Sequence, residues 1–320
     1  MNNLIYKDMQ KRLLLFLLLF LPLFSKGQIL KERRVYYIDC SYSMEQNGIW
    51  DLVRDKLKDA IDEVNDETTE ILVCPYAFDT KSSVKMYREL GTESGKNKLK
   101  SVIDGLPMSK STMTYHEMPL RDYYNNRVSS DRINYVFFMT DGMTDHKGND
   151  PFPAELSTWY SRYKNKHVYG FYVMLHDSAK KYKAALDVIG SESTQRTHHL
   201  WAVNTTDVNI NLIRLDNKSV FNARTEKYFE IPIYGNYKGI AFNASFPDNS
   251  KLKVKTVNIK DGKLRVNVDV VGDVHSLPSE QVLPLPLTMN GGGKYDFLVT
   301  ETVSVSCLSK PERTLKISIR

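Results

Sequence analysis

Four short apolar runs alternate with segments of helical periodicity over the first two thirds of the chain. The runs cover residues 35–38, 71–78, 133–139 and 168–175. Each is apolar on both faces, which is typical of strands buried in a parallel sheet. After the first run, apolar residues recur at helical spacing at Trp50, Val53, Leu57, Ile61 and Val64. The pattern predicts a doubly wound, Rossmann-like α/β domain with a mostly parallel sheet.

Weaker patterns complete this expected domain. Further strands are predicted at 84–90, as an edge strand, and at 199–203. Helices are predicted at 97–106, after residue 114 and through residue 123, at 154–164 and at 180–189. The strand of residues 35–38 is expected beside that of residues 133–139. The order of the sheet should reverse between these two strands, which creates a crevice.

The pattern changes after about residue 206, where helical periodicity stops. Short candidate strands cover residues 228–234, 238–244, 251–259, 264–271, 295–300 and 314–319. Asp261-Gly262 separates two of them and is typical of a tight hairpin turn. We therefore expect a first domain over 33–206 and a smaller antiparallel β-sandwich domain over 220–320.

The N-terminus has the pattern of a secretory signal peptide. Lys7, Lys11 and Arg12 precede an apolar run at 13–24, which is too short to span a bilayer comfortably. Residues 1–27 are therefore predicted to be a signal peptide, with an uncleaved membrane anchor as the alternative. This places the mature protein outside the cytoplasm, in a periplasm, on a cell surface or in the medium.

Charge and cysteine content limit the function classes. The net charge is +6, and it falls to +3 without residues 1–27, which argues against nucleic-acid binding. The three cysteines are Cys40, Cys74 and Cys307. Cys40 and Cys74 fall on neighbouring predicted strands, where either a disulfide or two buried thiols is consistent with the sequence.

Polar oxygen-bearing side chains follow two of the buried strands. Asp39, Ser41 and Ser43 stand at the end of the first run, and Asp141 follows the run that ends at residue 139. The carboxyl ends of parallel strands meet at one edge of a sheet, where ligands bind. These side chains supply only hard oxygen ligands, which suit Mg²⁺, with Mn²⁺ or Ca²⁺ as alternatives.

The segment Asp39-Cys40-Ser41-Tyr42-Ser43 resembles the Asp-x-Ser-x-Ser signature of the von Willebrand factor type A family, whose metal-ion-dependent adhesion site is also found in integrin I domains. The resemblance covers roughly residues 33–206. It implies that Ser41 and Ser43 bind the ion directly, that Asp39 acts through water, and that Asp141 completes the site. Thr112 matches the family's threonine ligand, with Thr114 as the alternative.

The resemblance implies a non-enzymatic binding protein for adhesion or envelope assembly. An ion with its carboxylates held in the outer shell attracts an acidic group, so the expected partner is a protein that presents Asp or Glu. Two alternatives stay open: an envelope enzyme or enzyme accessory subunit that positions an anionic group, and a scaffold with a vestigial site. No nucleophile motif such as Gly-x-Ser-x-Gly surrounds either serine.

Loops expected to surround the metal contain many large apolar side chains, which suits a recognition surface. The expected partner-binding residues are Tyr42, Met44, Met113, Tyr115, Met143 and Phe152. Covering the ends of helices is an alternative role for some of them. The adjacent His198 and His199 are expected to have a structural role, since no Cys or acid cluster completes a zinc set.

Overall fold

The computed structural model of the protein describes residues 31–78, 83–108, 114–146, 148–163, 167–182, 200–204, 211–215, 219–235, 237–278, 280–290, 296–300 and 303–307. Residues from Glu32 onward belong to one compact unit. The predicted signal peptide, the predicted strand 314–319 and most of the predicted helix 180–189 lie outside the described residues. None of the helices within the described ranges is both long and apolar enough to cross a membrane.

A six-stranded sheet forms the first part of the fold. Its strands are β1 (Lys31–Asp39), β2 (Glu70–Tyr76), β3 (Tyr87–Leu90), β4 (Arg132–Thr140), β5 (Val168–Met174) and β6 (Leu200–Asn204). They lie in the order β3-β2-β1-β4-β5-β6. β2 runs parallel to β1, and β4, β5 and β6 run parallel to one another. Only β3, at the edge, is antiparallel to its neighbour β2 among these described pairs.

The adjacency of β1 and β4 confirms the central prediction of the sequence pattern. β2 and β3 lie on one side of this pair and β5 and β6 on the other, so the strand order reverses between β1 and β4. Rings stack across the pair, with Tyr36 on Phe137 and Tyr37 on Phe138 at centroid distances of 4.8 and 5.4 Å. Such a reversal opens a crevice at the carboxyl ends of the two strands.

Five α-helices accompany the sheet in the described part of the chain. They are α1 (Tyr42–Gln46), α2 (Trp50–Asp62), α3 (Glu93–Asp104), α4 (Glu117–Asp122) and α5 (Phe152–Tyr163). A π-helical turn, Tyr123–Arg127, continues α4, and a 3₁₀ turn, Asp177–Tyr182, follows β5. α3 begins four residues earlier than predicted because the Thr92 side chain caps it by accepting the Gly95 N–H at 3.2 Å.

The described residues of the C-terminal third contain ten short strands. These are β7 (Asn211–Leu215), β8 (Val220–Phe221), β9 (Tyr228–Tyr234), β10 (Ala241–Ala244), β11 (Leu252–Lys260), β12 (Lys263–Val270), β13 (Val282–Pro284), β14 (Leu287–Asn290), β15 (Asp296–Thr300) and β16 (Ser304–Cys307). They form sheets of five, three and two strands, in the orders β11-β12-β9-β7-β15, β13-β16-β8 and β10-β14. Their inward residues, among them Ile213, Ile231 and Val266, form a second apolar cluster.

The expected hairpin is present, but the pairing is not wholly antiparallel. Asp261 and Gly262 turn β11 into β12 with φ of +50° and +70°, as a two-residue hairpin requires. β15 pairs with β7, and β16 with β8, in parallel. The prediction of a purely antiparallel arrangement is therefore wrong for these two pairs. Hairpins impose antiparallel pairing only on consecutive strands, and these partners are far apart in the chain. The domain boundary between 206 and 220 stays a prediction.

All three cysteines are buried and unpaired. Cys40 follows β1 and Cys74 lies in β2, and burial raises the pKa of both thiols above the ordinary value. Of the two alternatives left open by the sequence, the structure contains the buried thiols.

Candidate metal site

Asp39 lies at the end of β1 with its side chain fully buried. Its Oδ1 accepts the backbone N–H of Ser41 at 2.9 Å, and its Oδ2 accepts the hydroxyl of Thr140 at 2.8 Å. The Ser41 side chain also hydrogen-bonds this carboxylate. These donors fix the carboxylate in place.

Asp141 follows β4 at the same edge of the sheet and is also buried. Its Oδ1 accepts the N–H of Met143 at 3.0 Å, and its Oδ2 accepts the side-chain amide of Asn47 at 3.0 Å. Asn47 terminates α1, so this contact ties the end of that helix to the end of β4. The second carboxylate is held by a short turn on one side and by a helix end on the other.

Ser41 and Ser43 bring their hydroxyl oxygens to 2.9 Å from each other. The backbone is extended at Ser41, with φ −70° and ψ 156°, and α1 begins at the next residue. The change from extended to helical backbone after Ser41 turns the side chains of Ser41 and Ser43 toward the same side. Ser41 is buried and Ser43 half-buried, so the pair extends from the buried carboxylates toward solvent.

The two carboxylates are close enough to interact electrostatically. Burial, followed by the charge of Asp141, raises the pKa of Asp39 from 3.8 to about 7. Hydrogen bonds from Ser41 and Thr140 act in the opposite direction but do not cancel the rise. Among the described residues, no lysine or arginine belongs to the groups that shift this pKa most. Two buried carboxylates thus share this site, and their proximity disfavours the ionised form of Asp39.

Gly142 allows the chain to leave β4 directly after Asp141. Its φ is +79°, and an added Cβ would collide with the backbone of Ala179. Only glycine combines this conformation with this close approach without strain. The Gly142 N–H also donates to the Thr140 hydroxyl at 2.9 Å, which completes the turn that presents Asp141.

Of the two threonines expected as candidate ligands, the structure describes only one. Thr112 lies outside the described residues. The alternative, Thr114, is buried, and its N–H donates to the Asp145 carboxylate at 2.6 Å. The carbonyl oxygen of Thr114 accepts the Thr144 hydroxyl at 3.0 Å. These bonds place the segment that begins at Thr114 beside the loop that follows Asp141.

The expected partner-binding side chains divide into exposed and buried groups. Tyr42 and Met143 are 38% and 45% exposed, and Tyr115 is half-buried. Met44 and Phe152 have exposures of only 0% and 1%, so the expectation that they contact a partner is corrected: both pack in the interior beneath the loops. Met113 lies outside the described residues. The exposed apolar surface beside the carboxylates is therefore smaller than expected.

Two residues at the site, Thr140 and Asn47, were not anticipated from the sequence. Thr140 bonds Asp39, and Asn47 bonds Asp141 and also lies 3.7 Å from the sulfur of Met143. The Nδ1 of His116 lies 3.4 Å from the Thr140 hydroxyl. Thr140 stands next to Asp141 in a strand-end position, which was a usable signal. Asn47 had no such signal, because its role depends on how the end of α1 folds back onto the strand.

The donor set fits a hard divalent cation. Asp39 and Asp141 supply carboxylate oxygens, and Ser41 and Ser43 supply hydroxyl oxygens two residues apart in a fixed geometry. No sulfur or imidazole belongs to this set, which favours Mg²⁺, Mn²⁺ or Ca²⁺ over Zn²⁺. A cation would also neutralise the unfavourable charge pair that raises the pKa of Asp39.

Comparisons with known proteins found likenesses of fold alone. A scan against models of protein families gave no match, and a search of curated proteins gave none. Among solved structures, proximal thread matrix protein 1 from the mussel byssus is 15% identical with a TM-score of 0.40, over 55% of this chain and 44% of that one. The pilus adhesin SpaC from Lactobacillus rhamnosus GG is 11% identical with a TM-score of 0.43, over 88% and 43%.

A von Willebrand factor type A protein from Catenulispora acidiphila is also among these structures. It is 13% identical with a TM-score of 0.38, over 84% of this chain and 67% of that one. The chain spans less than half the length of the mussel protein and of the adhesin. TM-scores below 0.5 assign neither a family nor a function to the chain.

Proposed function

We propose that the protein is an exported, Mg²⁺-dependent binding protein. In this proposal a von Willebrand factor type A domain over 33–206 engages an Asp or Glu side chain of a protein partner, and a β-sandwich domain over 220–320 follows it. The observation that carries the proposal is the buried pair Asp39 and Asp141, at the ends of two adjacent strands beside the hydroxyls of Ser41 and Ser43.

The residues have distinct roles in this proposal. Ser41 and Ser43 would bind the ion directly, together with Thr112 or Thr114, while Asp39 and Asp141 would hold it through water. When bound, the ion supplies a positive charge that a partner's carboxylate can complete. Asn47 and Thr140 orient the two carboxylates through the hydrogen bonds they already make.

The hydrogen bonding of the serines supports binding over nucleophilic catalysis. A serine nucleophile needs a base within hydrogen-bond reach. The Ser41 and Ser43 hydroxyls face each other, and the nearby His116 lies against Thr140. Among the described residues, no hydrogen bond therefore joins Ser41 or Ser43 to a histidine.

Titration with Mg²⁺ tests the proposal. The full chain, stripped with EDTA, is expected to bind one Mg²⁺ by calorimetry, and Asp141→Asn is expected to abolish this binding while circular dichroism stays unchanged. Asp51→Asn is the matched control, because Asp51 lies on the exposed surface of α2 with its side chain 88% exposed. Equal Mg²⁺ affinity in Asp141→Asn and the wild type would refute the site. A wild type that binds no Mg²⁺ would support the vestigial scaffold.

Recognition is tested separately. Capture of envelope proteins on the immobilised chain is expected to occur with Mg²⁺ and to fail with EDTA, and an added peptide rich in Glu should compete. Capture that is equal with Mg²⁺ and with EDTA would contradict metal-dependent recognition. Sequencing the N-terminus of the protein recovered from outside the cytoplasm tests removal of residues 1–27.

A further inference from the structure

A second group of metal-binding side chains lies outside the set that contains Asp39 and Asp141. It consists of Glu117, His146 and Asp150, whose candidate ligand atoms all lie within 4.8 Å of one another. Glu117 is the first residue of α4, and the other two belong to the loop between β4 and α5. The group combines an imidazole with two carboxylates, so its chemistry differs from that of the all-oxygen site.

Packing and hydrogen bonds hold each of the three side chains. Glu117 is deeply buried, with a side-chain exposure of 6%, and its Oε2 lies 3.0 Å from Nε2 of His146. The Tyr115 ring packs on the imidazole at a centroid distance of 4.6 Å. The Oδ1 of Asp150 accepts the N–H of Phe152 at 3.0 Å, at the start of α5. The group is therefore built from three separately anchored positions.

Arg121 interacts electrostatically with Glu117, but its hydrogen bonds go to another carboxylate. Arg121 lies one turn after Glu117 on α4, but its guanidinium donates two hydrogen bonds to Glu155, of 2.9 and 2.7 Å. A planar guanidinium committed to one carboxylate oxygen in this way has limited capacity for a second partner. A buried glutamate beside a second carboxylate is costly unless a cation accompanies it.

We propose that Glu117, His146 and Asp150 bind a divalent transition-metal ion of the Zn²⁺ type. Catalytic Zn²⁺ sites have three protein ligands and a fourth position left open, and both imidazole nitrogen and carboxylate oxygen bind Zn²⁺. Imidazole favours such ions over Mg²⁺ and Ca²⁺, which prefer oxygen alone. This site goes beyond the proposed recognition site and does not depend on it.

The spacing of the donor atoms suits this ion. The 3.0 Å between Nε2 of His146 and Oε2 of Glu117 is close to the ~3.3 Å edge of a tetrahedron with ligands at about 2.0 Å. All three donor atoms lie within 4.8 Å of one another, so a pair at that limit would have to close by about 1.5 Å to reach the tetrahedral edge.

An ion at this position would join two segments that also contact each other near the first site. Glu117 follows Thr114 by three residues, and the Thr114 carbonyl oxygen accepts the N–H of Asp145 at 3.2 Å. Zn²⁺ would therefore crosslink the start of α4 to the loop that follows Asp141. We expect binding to stabilise both segments together.

Calorimetry with Zn²⁺ tests the proposal in the EDTA-stripped full chain, with saturating Mg²⁺ present to occupy the first site. One Zn²⁺ per chain is expected. His146→Ala and Asp150→Asn should each weaken the affinity for Zn²⁺ by roughly 100-fold or more. The loss of even an outer-shell partner of a metal ligand costs about 10–100-fold in metal affinity. Asp141→Asn should leave Zn²⁺ affinity unchanged, which separates this result from failure of the Mg²⁺ site.

Two further measurements make the outcome decisive. Zn²⁺ should raise the melting temperature of the wild type but not that of the isosteric variant Asp150→Asn. The melting temperature of Asp150→Asn without Zn²⁺ shows whether this variant folds. His275→Ala is the control for an exposed histidine. An unchanged Zn²⁺ affinity in both His146→Ala and Asp150→Asn would overturn the proposal. Loss of Zn²⁺ binding on replacing His198 and His199 instead would also overturn it.

Discussion

The hydroxyl of Thr140 donates a 2.8 Å hydrogen bond to Oδ2 of Asp39, joining residues 101 positions apart. The same hydroxyl oxygen accepts the N–H of Gly142 at 2.9 Å. The end of β1 and the turn after β4 are thus fixed to each other through one side chain. The position of Asp141 relative to Asp39 follows from this connection.

The raised pKa of Asp39 predicts how the metal-free protein responds to pH. The Asp39 carboxyl keeps its proton up to about pH 7 in the folded state but only up to about pH 3.8 in the unfolded state. Between these two pH values the folded state therefore binds more protons. Stability is therefore greatest at the acidic end and falls as pH rises through this window, by on the order of 4 kcal/mol. The free energy of unfolding, measured with a denaturant in the presence of EDTA from pH 4.5 to 8, tests this prediction.

Two comparisons isolate the contribution of Asp39. The variant Asp39→Asn should lose less stability as the pH rises, because it lacks the titrating carboxyl. Saturating Mg²⁺ should also reduce the loss of stability with pH, because a bound cation favours the ionised carboxylate. The same pH dependence in the wild type and in Asp39→Asn would show that other groups cause it.

Gly142→Ala is expected to destabilise the protein and weaken Mg²⁺ binding. The new Cβ would collide with Ala179, and the φ of +79° disfavours any side chain. Gly48→Ala is the control, because Gly48 also has a positive φ, +67°, with no atom within 4 Å of an added Cβ. Thermal unfolding should show a loss of about 1 kcal/mol in the control and clearly more in Gly142→Ala. Equal losses would show that only the backbone conformation matters.

Asn47→Ala is expected to weaken Mg²⁺ binding by about tenfold without changing the fold, because Asn47 orients Asp141 from outside the ligand set. Asn126→Ala is a suitable control, since it removes a comparable 3.0 Å bond from asparagine to the carboxylate of Asp122 at the end of α4. Calorimetry distinguishes the two variants. An Mg²⁺ affinity in Asn47→Ala that matches the control would mean that Asp141 is held by its own turn alone.

Tyr42→Ala and Met143→Ala are expected to weaken capture of the partner by about tenfold and to leave Mg²⁺ affinity unchanged. Both side chains are exposed beside the carboxylates, where apolar anchors contribute desolvated contact area. Leu52→Ala is the control, because Leu52 is similarly exposed, at 39%, on α2. Loss of Mg²⁺ binding in Tyr42→Ala would instead show that this ring supports the loop that carries Ser41 and Ser43.

Much of the α/β fold could be predicted from the sequence. Runs such as 133–139 are apolar on both faces, and only a strand covered on both sides makes that pattern favourable. A helix of the length of α2 is equally clear from apolar residues at helical spacing. Asp39 and Asp141 were identifiable because each follows such a run directly, and the end of a parallel strand is a defined location in the sheet.

The tertiary structure alone decided which side chains meet at that location. Periodicity reports which face of an element is buried, but not which loop covers it. Met44 and Phe152 therefore could not be distinguished from the exposed Tyr42 and Met143 by residue type. The contact between Asn47 and Asp141 depends on long-range folding for the same reason.

The same limit explains the two features that the sequence did not indicate at all. Glu117 and His146 are separated by 29 residues, and neither stands in a recognisable metal-binding spacing, yet the fold places their side chains 3.0 Å apart. The parallel pairing of β7 with β15 likewise joins strands about 80 residues apart. Local sequence determines the elements and the chemistry each carries, whereas packing between distant elements determines which of those groups become neighbours.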